Sequence, residues 1–460
     1  MTSQNAYRTA VLTAAVTTAA VTLAAAMPAA AQTTAPAPTT APNTAPTTTE
    51  AEKPAPAAAA SPPPGFYIDG IHLSAQIDAG FNINPNRPAN GLNFGQLFTD
   101  HANSIMLNQV LLTANKPLDP KNPDFQWGFK LQGMYGSDAR YTQYLGIFNN
   151  ALPGDRNQFD AVEANALLHL PFVTAGGIDL KAGLYPTPLG YETIDPSTNP
   201  FYSHTYIFQF GLPFKHTGGL AIAHVSDMLD IYAGVDTGTN TTFGPRGENN
   251  SALGGIGGFN LTLLGGNLTV LALTHFGPEQ ASRVLSPLGV NANGQWRFYN
   301  DIVATYKATD KLTLVTELNW VRDDFGFVGK AVNGYGAAQY VSYAVSDLVT
   351  LNARAEYWRD DNNFFVASFS GNNDPVRFQQ GLPLLSRVFT APGGSTSYGA
   401  LTVGATIKPT LPAPVTGLLL RPELRFDHAF ANSPFNQGAA GNAKATSTNV
   451  TFAADAVLTF

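Results

Sequence analysis

Between Gly65 and Phe460 side-chain character reverses at nearly every residue over long stretches, and no apolar stripe persists for three helical turns. Leu312, Leu314, Leu318 and Trp320 fall on one side of such a stretch, with Thr313, Glu317 and Asn319 on the other. Leu351, Ala353, Ala355 and Tyr357 oppose Asn352, Arg354 and Glu356, and Leu401, Val403, Ala405 and Ile407 oppose Thr402, Gly404, Thr406 and Lys408. Leu418, Leu420 and Leu424 oppose Arg421, Glu423, Arg425 and Asp427. A period of two is the signature of strands with one buried face. A soluble sandwich alternates in the same way, so the period alone establishes only one-sided burial.

The connections decide between the two. Sixteen alternating segments can be laid out, centred on 66–82, 104–116, 124–138, 159–171, 177–186, 214–227, 228–240 and 252–265 in the first half. The second half gives 266–280, 296–309, 310–325, 332–346, 347–361, 396–410, 415–430 and 446–460. Short junctions at 117–123, 173–176, 226–229, 264–267, 309–311, 346–347 and 411–414 alternate with long ones such as 83–103, 139–158, 187–213, 281–295, 362–395 and 431–445. Tight turns at one rim and long loops at the other characterise outer-membrane barrels. Each segment is long enough for a tilted strand to cross the hydrocarbon layer, and backbone groups in that layer must be paired by closing the sheet. The predicted fold class is all-β: a transmembrane antiparallel barrel of about sixteen strands, with short periplasmic turns and long external loops.

Aromatics near strand ends fit an interfacial girdle: Trp320 with Phe325 and Phe327, the pair Tyr357-Trp358, and Phe426 with Phe430. The stretch Asn449–Phe460 alternates and finishes on an aromatic residue. It resembles the terminal strand recognised by the outer-membrane assembly machinery, which makes that machinery and outer-membrane lipid expected partners.

Two segments precede the barrel. In residues 1–31 a single Arg8 stands before a moderately apolar run, and Ala29-Ala30-Ala31 offers a small-residue cleavage site, the pattern of a secretory signal peptide. Residues 32–64 are almost all Ala, Pro, Thr and Ser. Such a composition buries too little surface to offset ordering entropy, so the segment reads as a disordered periplasmic tether, either a plain spacer or a tail reaching the cell wall. The barrel domain is residues 65–460.

Composition narrows the function classes. Charged residues make up only 12% of the chain, which is too few for the surfaces of a helical cytoplasmic enzyme. With 25 basic against 32 acidic residues and no basic run, nothing tracks a phosphate backbone, so no nucleic-acid partner is expected. The absence of cysteine excludes disulfides and thiolate metal sites.

The polar strand faces supply candidate pore-lining residues: Glu317, Arg354, Glu356, Arg421, Glu423, Arg425 and Asp427. Charges facing lipid near the midplane would cost about 2–4 kcal/mol for a basic side chain, so the ladder Arg421/Glu423/Arg425/Asp427 must face water or an internal partner. It reads equally as a field across a pore or as an ion-pair network of the barrel wall. The segment Tyr185–Lys215 is unusually aromatic for an external loop. Folding into the barrel would bury its rings and bring Glu192, Asp195, His204 or Lys215 near the waist; capping the mouth or lining a subunit contact would bury the rings as well.

The run Gly190-Tyr191-Glu192, Asn199, Tyr202-Ser203-His204, Pro213-Phe214 and His216-Thr217-Gly218, with Gly277-Pro278 and Arg421–Asp427, resembles the beta-barrel porin family described as OmpL-like. The resemblance spans about 65–460 and implies a Gram-negative outer-membrane protein with a pore role; it carries no catalytic set. The expected function is passive diffusion of small hydrophilic solutes. The alternatives are a substrate-selective uptake channel and a structural barrel linking outer membrane to cell wall. A homotrimer is expected by analogy with sixteen-strand porins.

No catalytic, cofactor or metal site is expected. Tyr141-Thr142-Gln143 resembles a fragment of an outer-membrane phospholipase, but the His-x-Ser element is missing: Leu170-Pro171 follow His169. Asp100-His101, Asp323-Asp324 and Asp427-His428 could activate water only by converging at the outer rim.

Overall fold

The computed structural model describes residues 66–119, 122–149, 151–152, 154–244, 247–327, 330–366, 395–437 and 445–460. The leader and the Ala/Pro/Thr tract lie outside them. The first strands are β1 (Phe66–Ile68), β2 (Ile71–Ile83), β3 (Ser104–Lys116), β4 (Gln126–Gly136), β5 (Gln158–Leu170) and β6 (Ile178–Pro186). They are followed by β7 (Lys215–Ser226), β8 (Leu229–Asp236), β9 (Gly254–Leu263), β10 (Leu268–Pro278), β11 (Trp296–Lys307) and β12 (Leu312–Phe327). The last are β13 (Lys330–Ala344), β14 (Val349–Asp360), β15 (Thr396–Ile407), β16 (Gly417–Ala429) and β17 (Thr448–Thr459).

Strands β2 to β17 pair antiparallel in chain order, and β17 returns to pair with β2 through Phe452↔Ile83 to Thr459↔Gln76. The result is a closed barrel of sixteen strands, whose closure leaves no edge in the membrane. No helix among the described residues is long and apolar enough to cross a membrane, so the strands do the crossing.

The first segment departs from expectation. It is broken at Asp69-Gly70, both at positive φ (49° and 81°), and β1 folds back as a small hairpin on the start of β2. Only β2 belongs to the barrel wall.

Alternation sorts the wall into two faces. Leu112, Leu131, Ile302, Leu351, Leu401, Leu424 and Phe452 are exposed on the outside, an apolar belt that matches lipid. Inward neighbours such as Arg354, Arg421 and Arg425 are buried. The same alternation corrects one girdle assignment. Tyr357 and Phe426 face outward, but Trp358 is fully buried inside, because adjacent strand residues cannot share a face.

Candidate functional site

The segment 187–213 leaves the outer end of β6 and lies against the inner wall. The strand facing β6 across a sixteen-strand ring is β14, eight places away, and that is where the segment is held. Arg354 of β14 donates to Glu192 Oε1 (2.8 Å) and to the Ser203 carbonyl (2.7 Å). Glu356, next on the same inward face, accepts the backbone N–H of Tyr206 at 2.9 Å. The segment therefore crosses the barrel interior.

The ladder of β16 completes the anchorage. Arg421 donates to the carbonyls of Pro196 (2.6 Å) and Asn199 (2.8 Å) and is ion-paired with Asp455 of β17. Glu423 accepts the N–H groups of Tyr202 (2.9 Å) and Ser203 (3.2 Å). Arg425 lies between Glu356 (2.9 Å) and Asp427 (2.8 Å) and donates to the His204 carbonyl at 2.9 Å. Asp427 accepts the Tyr206 hydroxyl at 3.0 Å. Each cation is thus neutralised by a carboxylate beside it while its remaining N–H groups bond the segment's carbonyls; buried charges need both.

Further along the wall, Glu317 of β12 accepts the Tyr191 N–H (3.1 Å) and the Tyr340 hydroxyl (3.3 Å). Asp195 accepts Gln76 of β2 at 3.0 Å and caps the short turn that follows through the Ser197 N–H at 2.9 Å. Glu192 is the hub: besides Arg354 it takes Nδ1 of His204 (2.8 Å), the Thr205 N–H (3.1 Å) and the Tyr340 hydroxyl (3.1 Å). Burial opposes ionisation of Glu192, but Arg354 and His204 outweigh it and bring its carboxyl down to about 2.

Lys215 is placed elsewhere. It is the first residue of β7, and its buried ammonium pairs with Asp160 of β5 (2.5 Å) and the Ala161 carbonyl (3.0 Å), beneath the ring of Tyr144. Lys215 therefore belongs to the strand expected over 214–227 and not to the loop with which it was grouped as a waist residue.

Sequence reading missed three contributors. Residues 84–103 fold in beside the crossing segment. Phe98 packs against Phe208 and Phe214 with ring centroids 5.5 and 5.8 Å apart, and the Leu97 N–H donates to Gln209. Asp455 was not paired with Arg421. Strand glycines were not recognised as seats: a Cβ on Gly80 would lie 2.5 Å from the Tyr202 ring, and one on Gly336 would overlap Ile207. Glycine in a strand interior marks such an approach, and this was the available signal.

The acidic pairs weighed for catalysis are held by different partners. Asp100 accepts Arg140 and Tyr141, Asp323 is paired with Arg297, and Asp427 with Arg425. Thr142 donates to Asp160, and Gln143 to the Phe159 carbonyl, as loop ties.

The Lys130 side chain, paired with Glu163 at 2.5 Å, keeps 31% exposure, and Lys181 close by is half-buried.

Residues 70–460 match the family described as beta-barrel porin-2, OmpL-like. Among solved structures, the anion-selective porin from Comamonas acidovorans is similar at 11% identity and TM-score 0.51, over 85% of this chain and 99% of that one. OmpF of Salmonella typhi, in complex with daunomycin, is similar at 10% identity and TM-score 0.50, over 86% and 99%. The outer-membrane channel DcaP of Acinetobacter baumannii aligns at 11% identity and TM-score 0.46, over 86% and 100%. The first two likenesses show the fold. Among curated proteins no match is found.

Proposed function

The chain belongs to the OmpL-like beta-barrel porin-2 family and resides in the outer membrane, and from that premise we propose that it is a porin for passive diffusion of small hydrophilic solutes. Lipid and the outer-membrane assembly machinery are partners that such a barrel requires. The observation that carries the reading is the path of residues 187–213 across the interior to the charged ladder of β14 and β16. A segment fixed there narrows the lumen at one level. Lys130 and Lys181 below it keep contact with solvent, as the wall of a water-filled vestibule would. The function proposed for the ladder is to hold the constriction in place and to lend its rim mixed charge.

A second reading, a substrate-selective uptake channel, draws on the burial of all four ladder residues. Their polar groups are buried against the segment and against one another, so a solute that displaces the segment would open the path.

Planar-bilayer recording of purified protein tests both. Ohmic steps in simple salt, enlarged by deletion of residues 195–208, support the passive porin. Silence in salt that is relieved by a particular solute supports the selective channel, and silence under all conditions overturns the pore. Crosslinking in detergent tests the proposed homotrimer.

A further inference from the structure

A second buried cluster lies at the outer end of the wall, away from the ladder. His216 near the start of β7, Asp236 at the end of β8 and His275 near the end of β10 are all buried on the inner face. The neighbours Val235 and Phe276 are exposed on the outer face. Three strand spacings, about 14 Å, separate β7 from β10, yet the two imidazoles come within 4.8 Å, centroid to centroid. Glycine on the intervening β9 makes this possible. A Cβ on Gly254 would stand 2.7 Å from Asp236 Oδ1 and 3.0 Å from His275 Nε2.

The polar atoms converge without saturating one another. His216 Nδ1 is 2.9 Å from Asp236 Oδ2, poorly aligned for a hydrogen bond. His275 Nε2 lies 3.1 Å from the same oxygen and 3.2 Å from Oδ1. Asp236 Oδ1 also accepts the Gly238 N–H at 2.8 Å, and Oδ2 lies between the two rings. One ligand atom from each residue fits within a span of 4.8 Å. Two imidazole nitrogens and a carboxylate oxygen suit a divalent first-row ion, with zinc foremost, and leave one position open.

The surroundings orient one ring as a metal would require and set an acceptor near the other. A ligating histidine usually gives its other N–H to an acceptor. His216 Nε2 lies 3.0 Å from the Thr187 hydroxyl. The other nitrogen of His275, Nδ1, faces Glu279 Oε1 at 4.0 Å, both buried and without a hydrogen bond. Glu279 is itself oriented by the Thr239 N–H (2.9 Å) and by Asn249 (3.3 Å). We propose that His216, Asp236 and His275 form a divalent transition-metal site that ties β7, β8 and β10 together beneath the outer loops. Because the cluster is closed to solvent, the ion enters as the barrel folds, or when the loops above open.

Cobalt(II) is the probe. The barrel is refolded after chelation, with and without the ion, and bound cobalt is counted in the heat-modifiable, folded fraction while its visible absorption is recorded. The expected result is one ion per chain with tetrahedral or five-coordinate bands, and a thermal transition raised by the ion, since an ion bound only to the native state stabilises it. His216→Gln, Asp236→Asn and His275→Gln should each lose the band. The double variant His169→Ala/His224→Ala removes the more exposed His–Asp group at the opposite rim and should retain it. Folded wild-type barrel that binds no cobalt overturns the site, as does a band that survives His216→Gln and disappears from the double variant. Neither result bears on conductance, so the porin reading is tested separately.

Discussion

Arg354 and Glu192 stand 162 residues apart in the chain and meet at 2.8 Å, both buried. Replacing Arg354 with Met leaves the carboxylate buried without its countercharge, a change that costs about 3–5 kcal/mol in comparable buried pairs. The expected outcome is a lower urea midpoint for the reconstituted barrel, partly recovered by adding Glu192→Gln. Strictly additive losses in the double variant would show that the two residues do not act on each other.

Acid should release this contact in a defined window. Glu192 has its carboxyl below the ordinary 4.5, at about 2, so its contribution is complete above pH 4.5 and disappears as pH falls toward 2. Thermal stability should be level in this respect from pH 7 to about 5 and decline below 4.5. Glu192→Gln should be less stable at neutral pH and lack that part of the decline. Parallel curves for the two proteins across the window would refute the assignment.

On the porin reading, the ladder would set the charge at the waist. Arg421→Ala with Arg425→Ala leaves Asp455 and Asp427 without their cations, leaves Glu356 with Arg354 alone, and frees the carbonyls of Pro196, Asn199 and His204. Unit conductance should rise slightly and the reversal potential in a salt gradient should shift toward cations. An unchanged reversal potential in a folded variant would remove the ladder from the ion path.

Two glycines make a steric test that leaves every charge in place. Gly80→Ala pushes on the Tyr202 ring and Gly336→Ala on Ile207. Overpacking of this kind typically costs about 1–3 kcal/mol. Both variants should conduct more noisily and unfold earlier than Gly133→Ala, where the new methyl meets open space. Equal behaviour of all three would mean that the segment is not seated on the wall.

The wall was legible in the sequence because a strand with one face in lipid must alternate, and a one-residue error would turn every side chain to the wrong side. Each of the sixteen segments overlaps one strand of the wall, and the charged faces point inward. Residues that depend on distant partners were not legible. Nothing near Glu192 in the chain announces Arg354, and nothing near Arg421 announces Asp455. Trp358 was misassigned because proximity to Tyr357 was weighed above alternation, and Asp69-Gly70 because a two-residue reversal leaves the hydrophobic pattern on either side intact. His216 and His275 drew no attention as ligands: their convergence depends on Gly254, whose contribution is a missing side chain.

A sheet closed only through neighbouring strands is a hoop, soft to being flattened even when every backbone bond in it is sound. The path from β6 to β14 adds a chord. Elongating the cross-section along that line must pull Arg354 away from Glu192 and Ser203, and compressing it must drive Ile207 into Gly336 of the neighbouring β13. The barrel's roundness is therefore set by the length of a stretch of covalent chain and not by the elasticity of the wall. Lateral pressure from the bilayer then meets a braced frame.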